Sequence, residues 1–354
     1  MYKKLTFIVY DGIQNSVFSS QVLRPLLNLL KKNNKLKINL ISFEKEKISN
    51  TILLNLIPTH NRLNFILCKK LPFFGKLSLR FAVYQLKKIF KKIQSDEIIT
   101  RGPLAGWITI KALTKKSGVS PKIILQARGL CAQEYRFVCQ YKKENFINKW
   151  ARKIIVQKLH QIELEAYNKN NNLKFDFYIE SVSPALKNYL MINFGAKSSK
   201  ITIAKDDIPK KLSQKDIEFF RKKIRENLKI SDDTKVYCYS GSYKVWQCLP
   251  NIVDYFSEKI KKDKKKFLLI LSSDKIDIEN LIKDKNIEKN KYKILCVKAS
   301  ELHKFLAACD VGFLFRDKDI INWVSRPTKM LEYQSVGLEI VHNNTIGCLE
   351  NGHF

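Results

Sequence analysis

Short apolar runs alternate with longer stretches of helical spacing along the whole chain, which predicts an α/β architecture built on mainly parallel sheets. The run Leu5–Tyr10 predicts a first strand, and residues 16–32 a helix with Val22, Leu26 and Leu29 on one face. Lys37–Phe43, Glu97–Thr100 and Lys122–Gln126 predict further strands, with an apolar helix starting near Leu104. Asn148–Asn168 keeps helical spacing throughout. Phe175–Ile179 predicts a strand, and Ser183-Pro184 behind it pairs an N-cap residue with a first-position proline. Ile201–Ala204 closes this half.

The polar stretch Lys205–Ser213 then predicts a linker, after which the rhythm restarts. Lys235–Tyr239, Phe267–Leu271, Lys291–Val297, Val311–Phe315 and Glu339–His342 predict a second set of strands. The expected domains are residues 1–207 and 208–354. A chain of 354 residues with 45% hydrophobic content can bury two cores of ordinary size.

Charge changes the picture only partly. The formal net charge is +32, yet most of the basic residues are Lys, among abundant Asn and Ile. That composition fits the drift of an AT-rich genome over all surfaces. A basic surface also favours anionic partners, whether nucleotide diphosphates or anionic lipid headgroups. Arg clusters interleaved with aromatic platforms, which would indicate nucleic acid, are missing from the sequence. The eight cysteines include no C-x-x-C pair and sit mostly in apolar runs, the pattern of buried thiols in a reducing compartment. The five histidines lack ligand spacing, so no structural metal is expected. The N-terminus shows no signal-peptide pattern, and no apolar run nears the roughly 20 residues that span a bilayer. A cytoplasmic protein touching a membrane surface is the expectation.

The densest chemistry lies in 316–337. Pro327 suits the first position of a helix, and Gly337 its end. Free N–H groups at such a helix start attract phosphate, and Lys329 adds a point charge. Glu332 stands where it could accept hydrogen bonds from sugar hydroxyls. Together these residues outline a nucleotide-diphosphate site.

Ser325-Arg-Pro-Thr-Lys-Met-Leu-Glu-Tyr-Gln-Ser-Val-Gly337 resembles the S-x-P-x-K-x-x-E-Y-x-x-x-G element of the retaining GT-B glycosyltransferases of family 4. Leu306-Ala-Ala-Cys-Asp-Val-Gly-Phe-Leu-Phe-Arg316 is similar to the strand before that element, and Tyr239-Ser-Gly-Ser-Tyr-Lys-Val-Trp-Gln247 to the opening of the second domain. Ala127-Arg-Gly129, followed by Glu134, resembles a loop of a bacterial surface-polysaccharide branch. The resemblance implies two Rossmann-like domains facing across a cleft. The second would hold a nucleotide-sugar donor, and the first a surface glycan or lipid-linked acceptor. It also implies retention of configuration and no metal cofactor. Two departures stand out: Val324 occupies the place of the first Glu of the family's E-x7-E pattern, and the chain stops short of the usual final elements.

Glu332 is thereby expected to bind ribose, and Lys329, with the Pro327-Thr328-Lys329 helix start, the diphosphate. Arg316, expected at the diphosphate with Lys329, and Arg326, expected to contact the donor, are singled out because arginine is scarce here and offers a planar fork that lysine lacks; the alternative is a surface ion pair with Asp317, Asp319 or Glu332. Gly241, Ser242 and Lys244 follow a strand where backbone can approach a phosphate. Relative to the family, Ser242 stands in the usual Arg place and Gln247 roughly in the usual Lys place, with Lys244 a candidate substitute. Asp11 and Gly12, and then Arg128, Gly129 and Glu134, follow strands of the first half and are acceptor-side candidates; a structural ion pair is the bland alternative for the second group. In 73–93, Phe81, Leu86, Ile89, Phe90 and Ile93 can share a face opposite Lys87, Lys88, Lys91 and Lys92. That face fits either core packing or contact with anionic lipid. Two competing functions remain: a degenerate transferase that binds without turnover, motivated by Val324 and the early end, and a nucleic-acid binder, motivated by charge alone.

Overall fold

The computed structural model describes residues 2–15, 18–49, 53, 56–72, 75–113, 121–141, 146–168, 175–205 and 209–350. Ser16, Phe73 and linker residues 206–208 therefore lie outside the described residues. The chain divides into two compact units, Met1–Asp207 and Ile208–Phe354.

The first unit holds a seven-stranded sheet in the order β3-β2-β1-β4-β5-β6-β7, and every pairing is parallel. The strands are β1 Lys3–Val9, β2 Leu36–Glu44, β3 Leu63–Lys69, β4 Glu97–Arg101, β5 Lys122–Ala127, β6 Phe177–Ser181 and β7 Ile201–Ile203. Both faces are covered, as a parallel sheet requires. Phe7 and Val9 pack with Leu26 and Leu30 on one side, and Ile8 packs with Leu79, Leu86 and Ile108 on the other. The chain builds outward from β1 to β3, then crosses to β4 and builds the other way. The carboxyl ends of β1 and β4 thus flank the point where strand order reverses, the usual place for a ligand crevice in such sheets.

β3 is absent from the sequence-based expectation. It is an edge strand in which only Cys68 is buried, so its side chains give no clean alternation. The first predicted helix also differs. Residues Ser19–Leu23 form a π-type turn, with the Arg24 N–H donating to the Ser19 carbonyl, before a regular helix Arg24–Lys32. Pro25 accounts for this: it has no N–H to give and its ring crowds the carbonyl four residues back, so the preceding turn widens. Ser183 caps helix Pro184–Phe194 by accepting from the Leu186 N–H at 2.9 Å, with Pro184 at the first position.

The second unit holds a five-stranded parallel sheet, β10-β9-β8-β11-β12, made of β8 Lys235–Ser240, β9 Lys266–Leu271, β10 Tyr292–Leu295, β11 Val311–Leu314 and β12 Glu339–His342. Tyr237, Phe256 and Phe313 fill one side, and Cys238, Leu269 and Tyr333 the other. Its strand order reverses between β8 and β11. No helix among the described residues is long and apolar enough to cross a membrane.

Candidate active site

The β8/β11 crevice gathers most of the residues marked in 239–337. β8 runs out at Ser240 into Gly241, and β11 at Leu314 toward Arg316. Helix Thr328–Ser335 is fixed beside them by Tyr333. The buried Tyr333 hydroxyl accepts from the Ser240 N–H at 3.2 Å and reaches the Phe313 carbonyl at 3.4 Å. Its ring lies so close to Gly312 that a Cβ there would sit 2.4 Å from it. The helix ends with two bonds of a left-handed glycine cap, Leu338 N–H to Tyr333 O and Gly337 N–H to Gln334 O, with Gly337 at φ +77°. With both ends set, Lys329 and Glu332, three residues apart, face the same crevice.

Pro327 differs from its sequence expectation. Its φ of −62° suits a helix, but its ψ of 133° is extended, so it is the N-cap and Thr328 is the first helical residue. Thr328, Lys329 and Glu332 line a pocket of about 380 Å³ with Gly241, Ser242 and Val297.

Lys329 and Arg316 are both buried, and both donate to Gln247 Oε1, Lys329 at 2.7 Å. Among the described residues neither has a carboxylate partner; the ion pair considered for Arg316 is not formed. Burial, then the Arg316 charge, pulls the Lys329 amine down to about 6. Its Nζ also lies 4.1 Å from the centre of the Tyr239 ring. Burial raises the Glu332 carboxyl, and Lys329 offsets part of that rise. The Arg316 backbone is clamped by Asn343, which accepts from its N–H at 3.1 Å and donates to its carbonyl at 2.7 Å. A guanidinium and an amine in low-dielectric surroundings, meeting only neutral acceptors (the Gln247 amide and, for Arg316, the Phe315 carbonyl), form a site that an anion would complete.

The loop after β8 is held by hydrogen bonds at three successive residues. Gly241 N–H donates to Leu271 O at 2.9 Å, Tyr239 Oη to Ser242 O at 2.8 Å, and Tyr243 N–H to Asp274 at 2.5 Å. Gly241 has φ +133°, and a Cβ there would stand 2.6 Å from Lys329 Nζ. Lys244 is exposed, and among the described residues its amine bonds to nothing. The residue at this loop that meets the cations is Gln247 instead. Arg326 is buried and is not among the residues lining the pocket. Val324 is buried at 1% exposure and offers no polar atom where the family pattern has its first Glu.

In the first unit the β1/β4 reversal point brings Asp11 and Glu134 near Arg101. Asp11 keeps solvent access, yet lost hydration raises its carboxyl against the pull of Arg101 and Lys70. Glu134 is raised by desolvation and then by Asp11. Gly12, at φ +86°, lies against Glu44, whose Oε1 accepts from the Ile13 N–H at 3.0 Å. Gly129 gives Glu134 its place: a Cβ there would collide with Glu134 Oε1 at 1.9 Å. Arg128 instead turns to Glu180, 3.8 Å away. Arg101, buried at the end of β4 and donating to Gln21 at 2.6 Å, was not singled out in the sequence. Its place at the end of a strand and the scarcity of arginine are the signals that would have found it.

No family model and no curated protein matches the chain. Solved structures do. A glycosyltransferase from Rickettsia africae superimposes with a TM-score of 0.60 at 14% identity, covering 100% of this chain and 82% of that one. WaaG, a glycosyltransferase involved in lipopolysaccharide biosynthesis, gives 0.60 at 11%, covering 98% and 83%. A putative UDP-N-acetylglucosamine 2-epimerase from Listeria monocytogenes gives 0.54 at 11%, covering 99% and 81%. At such identities the likeness is one of fold, and the fold of this chain is that of the GT-B glycosyltransferases.

Proposed function

We propose that the protein transfers a sugar from a nucleoside diphosphate donor to a glycan or lipid-linked glycan acceptor, with retention at the sugar carbon. The observation that carries this is the pair Arg316 and Lys329, buried with no carboxylate partner among the described residues and converging on Gln247 beside Glu332. As the bond to the sugar breaks, negative charge grows on the leaving diphosphate. Fixed cations there stabilise the transition state more than the ground state. On this reading the two side chains do that work without a bound metal. Glu332 accepts from the ribose hydroxyls, and the pocket lined by Val297 and Ser272 takes the nucleoside.

The unit carrying Asp11, Arg101 and Glu134 is read as the acceptor side. Retention and the surface-glycan acceptor rest on the resemblance of 306–337 and 127–134 to family 4. A place at the inner membrane surface follows from a lipid-linked acceptor and the basic surface.

The test is to incubate purified protein with a panel of nucleoside diphosphate sugars and follow diphosphate release, with and without lipid-linked glycan extract. Release that depends on acceptor supports transfer. Interconversion of sugars without release would point to epimerase chemistry. Tight nucleotide binding with no turnover on any donor would support the non-catalytic alternative.

A further inference from the structure

A second pocket, about 720 Å³, lies in the first unit and is lined by none of the candidate site residues. It is a groove. Helices Lys76–Phe90 and Phe146–Asn168 both pack against helix Gly102–Ala112, which lies between them. Leu79, Val83, Trp107 and Ile162 supply its apolar lining. Lys76, Arg80, Lys87, Lys111 and Lys158 also line it. The one carboxylate among the lining residues, Glu165, is already engaged by Lys111 at 3.0 Å and by the Trp107 indole N–H at 3.1 Å.

The apolar face predicted within 73–93 does not make this groove. Leu86, Ile89, Phe90 and Ile93 are packed into the core of the unit, so that part of the predicted face is not free to lie on a bilayer, while Phe81 is half-buried outside that cluster. The adjacent side of the helix, carrying Arg80, Val83, Tyr84 and Lys87 at spacings of three and four, faces the groove instead. Exposed Tyr84 and Leu77 extend apolar surface from its mouth.

We infer that this groove is a binding site for a single anionic phospholipid, with the headgroup phosphate among the cations and the first part of an acyl chain over Trp107, Val83 and Ile162. The charge argument selects the occupant. Five cations against one engaged carboxylate favour an anion, while the apolar lining favours a ligand that carries an alkyl chain next to its charge. The volume falls within the range of pockets that enclose small ligands. Lysine and arginine stems can line the chain while their heads meet phosphate. The inference deepens the membrane part of the function proposed above: a lipid held in a groove orients the protein, which diffuse attraction does not.

The test uses the full chain and no nucleotide or sugar, so its failure leaves the transfer reading untouched. Phosphatidylglycerol vesicles with brominated acyl chains should quench tryptophan fluorescence, and Trp107→Phe should remove most of that quenching. Neutral phosphatidylcholine vesicles with the same label should quench little. Arg80→Gln with Lys158→Gln, two exposed positions whose loss leaves the core intact, should lower vesicle binding about tenfold or more. Short-chain, water-soluble phosphatidylglycerol should compete. Vesicle binding with Trp107 unquenched would overturn the groove site while leaving surface attraction standing. Displacement by single-stranded RNA and not by short-chain lipid would overturn it in favour of a nucleic-acid partner.

Discussion

Lys329 and Arg316 share one acceptor, the Oε1 of Gln247. One neutral oxygen therefore stands between a buried guanidinium and a buried amine where a protein built for stability alone would place a carboxylate. Gln247→Glu supplies that carboxylate. The new charge should stabilise the fold by about 1 kcal/mol or more, a rise of roughly 2–4 °C in the melting of a unit the size of Ile208–Phe354. It should also occupy the cations and weaken nucleoside diphosphate binding at least tenfold, about 1.4 kcal/mol. Thermal melts and calorimetry check both. A stabilised variant with undiminished affinity would show that the diphosphate binds elsewhere.

Lys329 makes diphosphate binding a proton-uptake reaction. Its folded pKa is about 6, below the usual lysine value of 10.5, because burial and Arg316 disfavour its charge. Between those two values the unfolded chain binds the extra proton, so this residue's contribution to stability rises with pH across that window and is flat below it. A bound diphosphate restores the charged form. At about pH 8 the diphosphate is already ionised, so protons taken up on binding report Lys329. Calorimetry in buffers of different ionisation enthalpy should show that uptake, and Lys329→Met should abolish it while raising the melting temperature. Equal uptake in the variant would move the proton to another group.

The sequence carried the fold because the strands of both units are short, apolar and mostly buried on two faces. β3 escaped because it is an edge strand whose residues are half or fully exposed except Cys68. Lys329 and Glu332 could be read because they lie on one short helix. Gln247 could not be joined to them, since it meets Arg316 across 69 positions and Lys329 across 82. Arg101, Asp11 and Glu134 come together only once β1, β4 and β5 are in register. For 73–93, spacing shows an apolar face but not what covers it; the core of the first unit covers Leu86, Ile89, Phe90 and Ile93 and leaves Phe81 half-buried outside it.

Gly312 has no place in the chemistry, yet it holds the site in shape. A Cβ added there would stand 2.4 Å from the Tyr333 ring, which is buried and cannot swing away. Gly312→Ala should destabilise by about 1–3 kcal/mol, as overpacking does. Because the shift moves helix Thr328–Ser335, nucleotide affinity should fall with it. Denaturant melts measure the first effect; a variant as stable as the parent would mean the ring has room to move.

Glu332 is half-buried and, among the described residues, its carboxylate has no hydrogen-bond partner. Glu332→Ala should leave the melting temperature almost unchanged, since no bond within the protein is lost. It should weaken nucleoside diphosphate binding by about 1.5–3 kcal/mol, the cost of losing a hydrogen bond to a charged group. The 2′,3′-dideoxy nucleotide should bind parent and variant equally. If the variant still distinguishes the two nucleotides, Glu332 does not hold the ribose.

Arg316 presents a different question, because lysine keeps its charge. Arg316 Nη1 meets both Gln247 and the Phe315 carbonyl, and its backbone is clamped by Asn343. The guanidinium is therefore aimed, and a second nitrogen remains to fork onto a phosphate oxygen. Arg316→Lys cannot reproduce the fork. Turnover should fall about tenfold to a hundredfold, with a smaller change in diphosphate affinity, because the lost bonds matter most when leaving-group charge is fully developed. The same assay, run with a chelator, tests whether the two side chains suffice at the diphosphate. Turnover should survive in the parent. A chelator that silences the parent would assign the leaving group to a metal, and Arg316 and Lys329 would become groups that position the donor.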